Sequence, residues 1–158
     1  RVDPMEIADI LIPEGVLPHL KVTSKKQALQ ELSRRAADVT GLEQREIFDV
    51  LLERERLGTT GMGNGIAIPH GKLPSLDRLY GIFARADRAV EFDAIDDKPV
   101  DVIFLLLAPE SAGADHLKAL ARVSRLLRDK GICEKIRGAD SVDAIYALLT
   151  EATASNAA

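Results

Sequence analysis

The sequence predicts an α/β fold, a single-domain sandwich in which a mixed sheet of roughly five strands is flanked by helices. Three observations carry that prediction. Apolar residues recur at helical spacing in separate blocks, around 25–39, 43–57 and 115–130. Between these blocks lie apolar runs of strand length, 79–86 and 100–108, the second continuous enough to be buried on both faces. A chain of 158 residues, 46% hydrophobic and 29% charged, suits one globular core, and alternating helices and strands then call for layers.

The elements follow in chain order. Residues 16–22 read as a short strand that Pro18 confines to an edge or an end. Ser24 and Gln27 form a capping box, after which Ala28, Leu29, Leu32, Ala36 and Val39 mark a helix that ends at Gly41. A second helix starts near Glu43, carries Ile47, Phe48, Leu51 and Leu52 on one face, and stops at Leu57 because Gly58 suits a left-handed stop. Gly61, Gly63 and Gly65 alternate through a stretch that no helix tolerates. Ile66 to Ile68 form a short buried strand ended by Pro69, which leaves His70 just past a strand end.

Beyond the strands at 79–86 and 100–108, a weaker one spans Ala89 to Phe92. A long amphipathic helix runs from Asp115 to Lys130 with Leu117, Leu120, Val123, Leu126 and Leu127 inward, ahead of Gly131. Ile132 to Ile136 add a helical turn, and Asp140 or Ser141 caps a last helix through Leu149. Residues 1–4 ahead of Met5 read as a remnant outside the domain, which spans 5–150, and 151–158 as a flexible tail.

Composition excludes several functions. A net charge of −4 and a pI near 5.4 leave no cationic excess for a nucleic-acid backbone. With no Trp, two Tyr and four Phe, the chain has no stacking platform for bases. The apolar run Val102 to Ala108 is broken by Pro109, too short for membrane insertion. The single Cys133 cannot form an internal disulfide and reads as a small buried residue; no signal-like segment opens the chain, so a reducing cytoplasm is expected. His19, His70 and His116, at intervals of 51 and 46 residues, do not resemble a metal site. Neither a metal nor another cofactor is expected. Arg122, Arg125 and Arg128 form a helix stripe that is either a solvated face or a contact for an acidic partner.

The glycine loop fails both common phosphate motifs. Gly61-Met62-Gly63-Asn64-Gly65-Ile66 has its third glycine one place early for a dinucleotide fingerprint and runs into a strand instead of a helix. Gly71-Lys72 is followed by Leu73, not the Ser or Thr that would hold magnesium. A tight turn is the plain alternative.

The longer segment Arg54-Glu55-Arg56-Leu57-Gly58-Thr59-Thr60-Gly61-Met62-Gly63-Asn64-Gly65-Ile66-Ala67-Ile68-Pro69-His70-Gly71-Lys72 closely resembles the active-site region of phosphotransferase-system IIA proteins of the mannitol and fructose type, particularly their nitrogen-regulatory branch. The resemblance continues through Phe92-Asp93-Ala94-Ile95-Asp96, Pro99-Val100-Asp101 and Asp115-His116-Leu117, and covers about Met5 to Leu149. It implies that His70 accepts a phosphoryl group from a phosphorylated HPr-like carrier. It further implies that His116 stabilises the phosphate by hydrogen bonding and that Arg54, sixteen residues before His70, stabilises its charge.

The residue chemistry agrees. Neutral imidazole is a good nucleophile, and its phosphoramidate suits a relay. Backbone N–H groups of a loop containing Gly61, Gly63, Asn64, Gly65 and Gly71 can cradle an anion. His116 at a helix start profits from the dipole, although a capping or solvent-facing histidine is the alternative. A guanidinium offers two parallel donors to phosphate; Arg56 points elsewhere, and either arginine could instead pair with Glu53 or Glu55. The expected function is a cytoplasmic phosphocarrier that signals to regulatory target proteins through its phosphorylation state. The alternatives are a sugar-transport IIA subunit that serves a IIB partner and a binding module of the same fold that has lost transfer.

Overall fold

The computed structural model describes residues 5–157, with side chains described through Glu151; the expected remnant at 1–4 lies outside the described residues. The chain forms β1 (Val16–Leu20), α1 (Lys25–Thr40), α2 (Gln44–Arg56), β2 (Gly61–Gly63), β3 (Ile66–Ala67), β4 (His70–Leu73), β5 (Tyr80–Val90), β6 (Val100–Pro109), α3 (Ala114–Leu127), α4 (Lys130–Arg137) and α5 (Val142–Ala157). Strands β1, β5, β6, β3 and β2 follow one another across a mixed sheet, and β4 also pairs with β6. Thus β6 is flanked by antiparallel β5 on one side and by parallel β3 and β4, one after the other, on the opposite side.

The apolar run of β6 is continuous because both faces of the strand are covered. Ile103, Leu105 and Leu107 pack in the layer with α1 and α2. Val102, Phe104 and Leu106 pack with α3, α4 and α5. This is the expected sandwich. Helix α1 starts where Ser24 Oγ accepts from the Gln27 N–H at 3.1 Å, while the Gln27 side chain reaches back to the Thr23 N–H. Gly41 ends it at a φ of +80°.

The differences from expectation have local causes. The sheet has six strands, because the short β2 and β4 flank β3. Asn64 and Gly65, with φ of +58° and +81°, turn β2 into β3 as a two-residue hairpin of the kind an Asn-Gly pair favours. The expected strand at Ala89–Phe92 is not separate; β5 runs on to Val90 past an irregularity after Arg85. The long helix ends early, at Leu127, because Asp129 starts α4 by accepting from the Ile132 N–H. Ser141, not Asp140, caps α5 through the Ala144 N–H, and the α5 backbone stays helical to Ala157, past the expected end at Leu149. Leu117, expected inside, is 69% exposed. Arg122 binds the Met5 carbonyl and lies near Glu6, while Arg125 and Arg128 are exposed.

No helix among the described residues is long and apolar enough to cross a membrane.

Candidate functional site: two histidines and an arginine

His70 is the first residue of β4, paired with Leu106 near the end of β6. Pro69 precedes it and breaks the edge, so β3 and β4 are separate strands along β6 and the intervening Ile68 is left to irregular contacts. One of these is decisive. His70 Nδ1 lies 2.9 Å from the Ile68 carbonyl oxygen. A carbonyl only accepts, so Nδ1 carries the proton and Nε2 keeps the free lone pair.

Arg54 comes to that lone pair from the last turn of α2. Its Nε lies 3.3 Å from His70 Nε2 and donates to it, and its Nη1 donates to the Gly58 carbonyl at 2.9 Å. The approach depends on Gly71: a Cβ there would overlap Val50 Cγ1. Val50 and Arg54 are four apart on α2 and share a face, so the glycine that admits Val50 to β4 also admits Arg54 to His70. Arg56 is separate, paired with Glu53 on the outer face.

His116 arrives from the other layer. Strand β6 ends at Pro109, and a short turn through Gly113 starts α3, whose third residue is His116. It is 6% exposed, with its ring edge-on to His70, centroids 5.6 Å apart at 71°. Its Nε2 is buried and has no hydrogen-bond partner among the described residues. Burial lowers the pKa of both histidines from the ordinary value of 6.5. For His70, Arg54 reinforces the shift against the Ile68 hydrogen bond; for His116, the His70 and Lys72 charges add to it. Both rings are therefore held toward the neutral form, which is the nucleophilic one.

His70 opens on a cavity of about 370 Å³ whose lining includes Arg54, Thr60, Gly61, Met62, Ile95 and Leu120. Of the five loop residues singled out by the sequence, only Gly61 lines it. Gly61 is held small by Ala94, whose Cβ would lie 2.9 Å from an added Cβ, and its N–H already donates to Thr59 Oγ1. Gly63, Asn64 and Gly65 form the distant hairpin turn: Asp96 accepts from the Asn64 N–H, and Arg137 donates to the Asn64 carbonyl while pairing with Asp101. Gly71 is the seat of Val50. At these five positions the structure shows close approach at Gly61 and Gly71 and a hairpin turn at Gly63, Asn64 and Gly65.

Sequence reasoning missed Glu55 and Thr60. Glu55 accepts from the Thr60 N–H and from the Thr60 hydroxyl, and pairs with Lys25 Nζ at 2.9 Å. A glutamate one residue after an arginine in a charged helix end gives no sign of burial. Cys133 is buried, as expected, with its thiol pKa raised by burial. His19 bonds Asp87 and the Asp140 carbonyl, far in sequence from the histidine pair. A groove of about 850 Å³ between α1 and α2 is lined by side chains such as Lys26, Arg34, Asp49 and Arg56 and includes none of His70, His116 and Arg54.

The family described as "Phosphoenolpyruvate-dependent sugar phosphotransferase system, EIIA 2" matches residues 9–152. A nitrogen regulatory protein of Bradyrhizobium diazoefficiens is 59% identical over 145 residues, covering 92% of this chain and 95% of that one. Another, from Klebsiella oxytoca, is 41% identical over 98% of this chain and 96% of its own length. The crystal structure of nitrogen regulatory protein IIA-Ntr from Neisseria meningitidis superposes with a TM-score of 0.87 at 36% identity, over 91% of this chain and 99% of that one. The chain belongs to the EIIA 2 family of the phosphoenolpyruvate-dependent sugar phosphotransferase system, and its resemblance is to that family's nitrogen regulatory proteins.

Proposed function

We propose that the protein is a cytoplasmic phosphocarrier in which His70 Nε2 accepts a phosphoryl group from a phosphohistidine on an HPr-like protein, and that the phosphorylated and free forms act differently on regulatory targets. The observation that carries this reading is the Nδ1–Ile68 hydrogen bond. It leaves a single lone pair on the ring, aimed at a guanidinium. In the step, that lone pair forms the new N–P bond as the donor's N–P bond breaks and its electron pair returns to the donor imidazole. Donor and acceptor bonds are alike in energy, so neither nucleotide nor metal is required, and the site supplies orientation and charge stabilisation.

Arg54 then has two positions to serve. At 3.3 Å its bond to Nε2 is long and weak. It is readily exchanged for phosphate oxygens, which a guanidinium binds with two parallel donors. The orphaned Nε2 of His116 gains a partner in the same event. Gly61 faces the incoming group, and Gly63, Asn64, Gly65 and Gly71 act at one remove by shaping the hairpin and seating α2. Exposed Ile95 on the cavity wall and exposed Leu117 beside His116 give the donor apolar surface to dock on. The names of the relatives support a regulatory use in nitrogen or broader metabolic control.

Incubation with phosphoenolpyruvate, Enzyme I and an HPr-like carrier tests the reading. One acid-labile, alkali-stable phosphoryl group is expected, absent from His70→Ala; stoichiometric label on that variant overturns the assignment. The family's own description as a sugar phosphotransferase component supports a second reading, a transport IIA subunit. Rapid transfer to a sugar-specific IIB protein, with identical partners captured by wild type, His70→Ala and His70→Asp, would favour it.

A further inference from the structure

Behind the histidine pair runs a second line of polar contacts. It starts at Lys25, the first residue of α1, whose ammonium is 4.8 Å above the Phe92 ring and 2.9 Å from Glu55 Oε1. The Glu55 side chain is only 4% exposed. Its Oε1 also accepts from the Thr60 N–H at 3.1 Å, and its Oε2 from the Thr60 hydroxyl. The Thr60 carbonyl accepts from the Ile68 N–H at 3.1 Å. The Ile68 carbonyl accepts from His70 Nδ1 at 2.9 Å. The contacts are continuous from one helix start to the ring of the phosphoryl acceptor.

A buried ion pair is a poor device for stability alone, since apolar residues of the same volume often serve as well or better. What this pair does supply is a fixed acceptor for both donors of Thr60, and so a fixed peptide at Ile68. Which ring nitrogen of a histidine holds the proton is decided by the partner of the other. We propose that Glu55 and Lys25 are positioning residues that hold His70 with its proton on Nδ1 and its lone pair on Nε2, acting through Thr60 and the Ile68 peptide. This rests on the reading of His70 as the acceptor. The ion pair touches neither reacting atom; it decides which of two chemically similar nitrogens is presented to phosphorus.

The test compares wild type with Glu55→Gln, Lys25→Met and Thr60→Val, using ¹⁵N NMR of the His70 ring above its titration, single-turnover transfer and thermal unfolding. Wild type should show one tautomer. Glu55→Gln should show a mixture, with transfer slowed roughly 10- to 100-fold by misaligned nitrogen, and Thr60→Val a smaller change in the same direction. A core variant of matched stability loss, Leu32→Ala, should keep both the tautomer and the rate. A folded Glu55→Gln with a single Nδ1–H tautomer and wild-type transfer overturns the proposal. If Glu55→Gln does not fold, Thr60→Val and Lys25→Met decide it by the same readout. Wild type that takes no phosphoryl group refutes the carrier reading instead, while the tautomer comparison still decides the positioning.

Discussion

His116 stands edge-on to His70 with a buried Nε2 that has no hydrogen-bond partner among the described residues. An orphaned polar atom of this kind costs about 1–3 kcal/mol. In the proposed transfer this nitrogen is the atom of His116 that meets the phosphoryl group. His116→Phe keeps the ring and removes the orphan. It should leave stability unchanged or raise it by about 1 kcal/mol and slow transfer by ~10²-fold, the loss typical of one donor aimed at transition-state charge. Chemical denaturation and single-turnover labelling measure the two effects; an unchanged rate would show that His116 does not reach the phosphate.

The same burial makes a prediction about pH. Both histidines are held below their ordinary pKa of 6.5. As pH falls past that value the unfolded chain binds protons that the folded chain refuses, so stability must decline toward acid. The decline begins near pH 6.5 and ends below the lowered folded values. Denaturation midpoints between pH 8 and pH 5 should fall along this course, with a shallower slope in His116→Phe. Transfer should hold its rate to a lower pH than a free imidazole would, because His70 stays neutral there. An acid limb at or above 6.5 would contradict the lowered pKa.

Gly71 offers a mechanical test. Its Cα faces Val50 so closely that a methyl group would overlap Val50 Cγ1. Gly71→Ala should therefore push α2 off β4, cost about 1–3 kcal/mol as overpacking does, and slow transfer because Arg54 retreats with Val50. Adding Val50→Ala frees the space. In a double-mutant cycle the pair should recover most of the rate and part of the stability, whereas additive losses would mean that Gly71 matters for another reason.

Much of this arrangement was legible in the sequence, for physical reasons that also explain what was not. The helices α1 and α2 and the central β6 declare themselves through periodicity and continuous apolarity, which reflect burial directly. His70 and Arg54 could be paired through the family segment, and the structure does bring them together. The strands β2 and β4 are three and four residues long, and glycine composition masks them. The Asn64-Gly65 pair was a readable hairpin signal, and the structure shows it turning β2 into β3. The Glu55 network was not readable, because its members lie in three separate segments and only tertiary packing makes a charged residue an interior one.

The surface around the cavity yields the last prediction. Ile95 is 76% exposed, yet it lines the cavity beside His70, and its N–H is anchored to the Gly61 carbonyl at 3.3 Å. An apolar side chain held at the rim of a polar site is suited to a protein surface that covers the site during transfer and then leaves. Ile95→Asp removes that apolar contact and sets a negative charge where a phosphorylated donor must approach. The concentration of phosphorylated donor giving half the maximal single-turnover rate should rise about tenfold, equivalent to ~1.4 kcal/mol of docking energy, while the maximal rate stays within about twofold because no group that touches Nε2 has changed. Raising the salt concentration should narrow the gap, since the repulsive part of the loss is screened at the surface. A lower maximal rate with unchanged half-saturation would place Ile95 in the alignment of His70 instead of the docking of its donor.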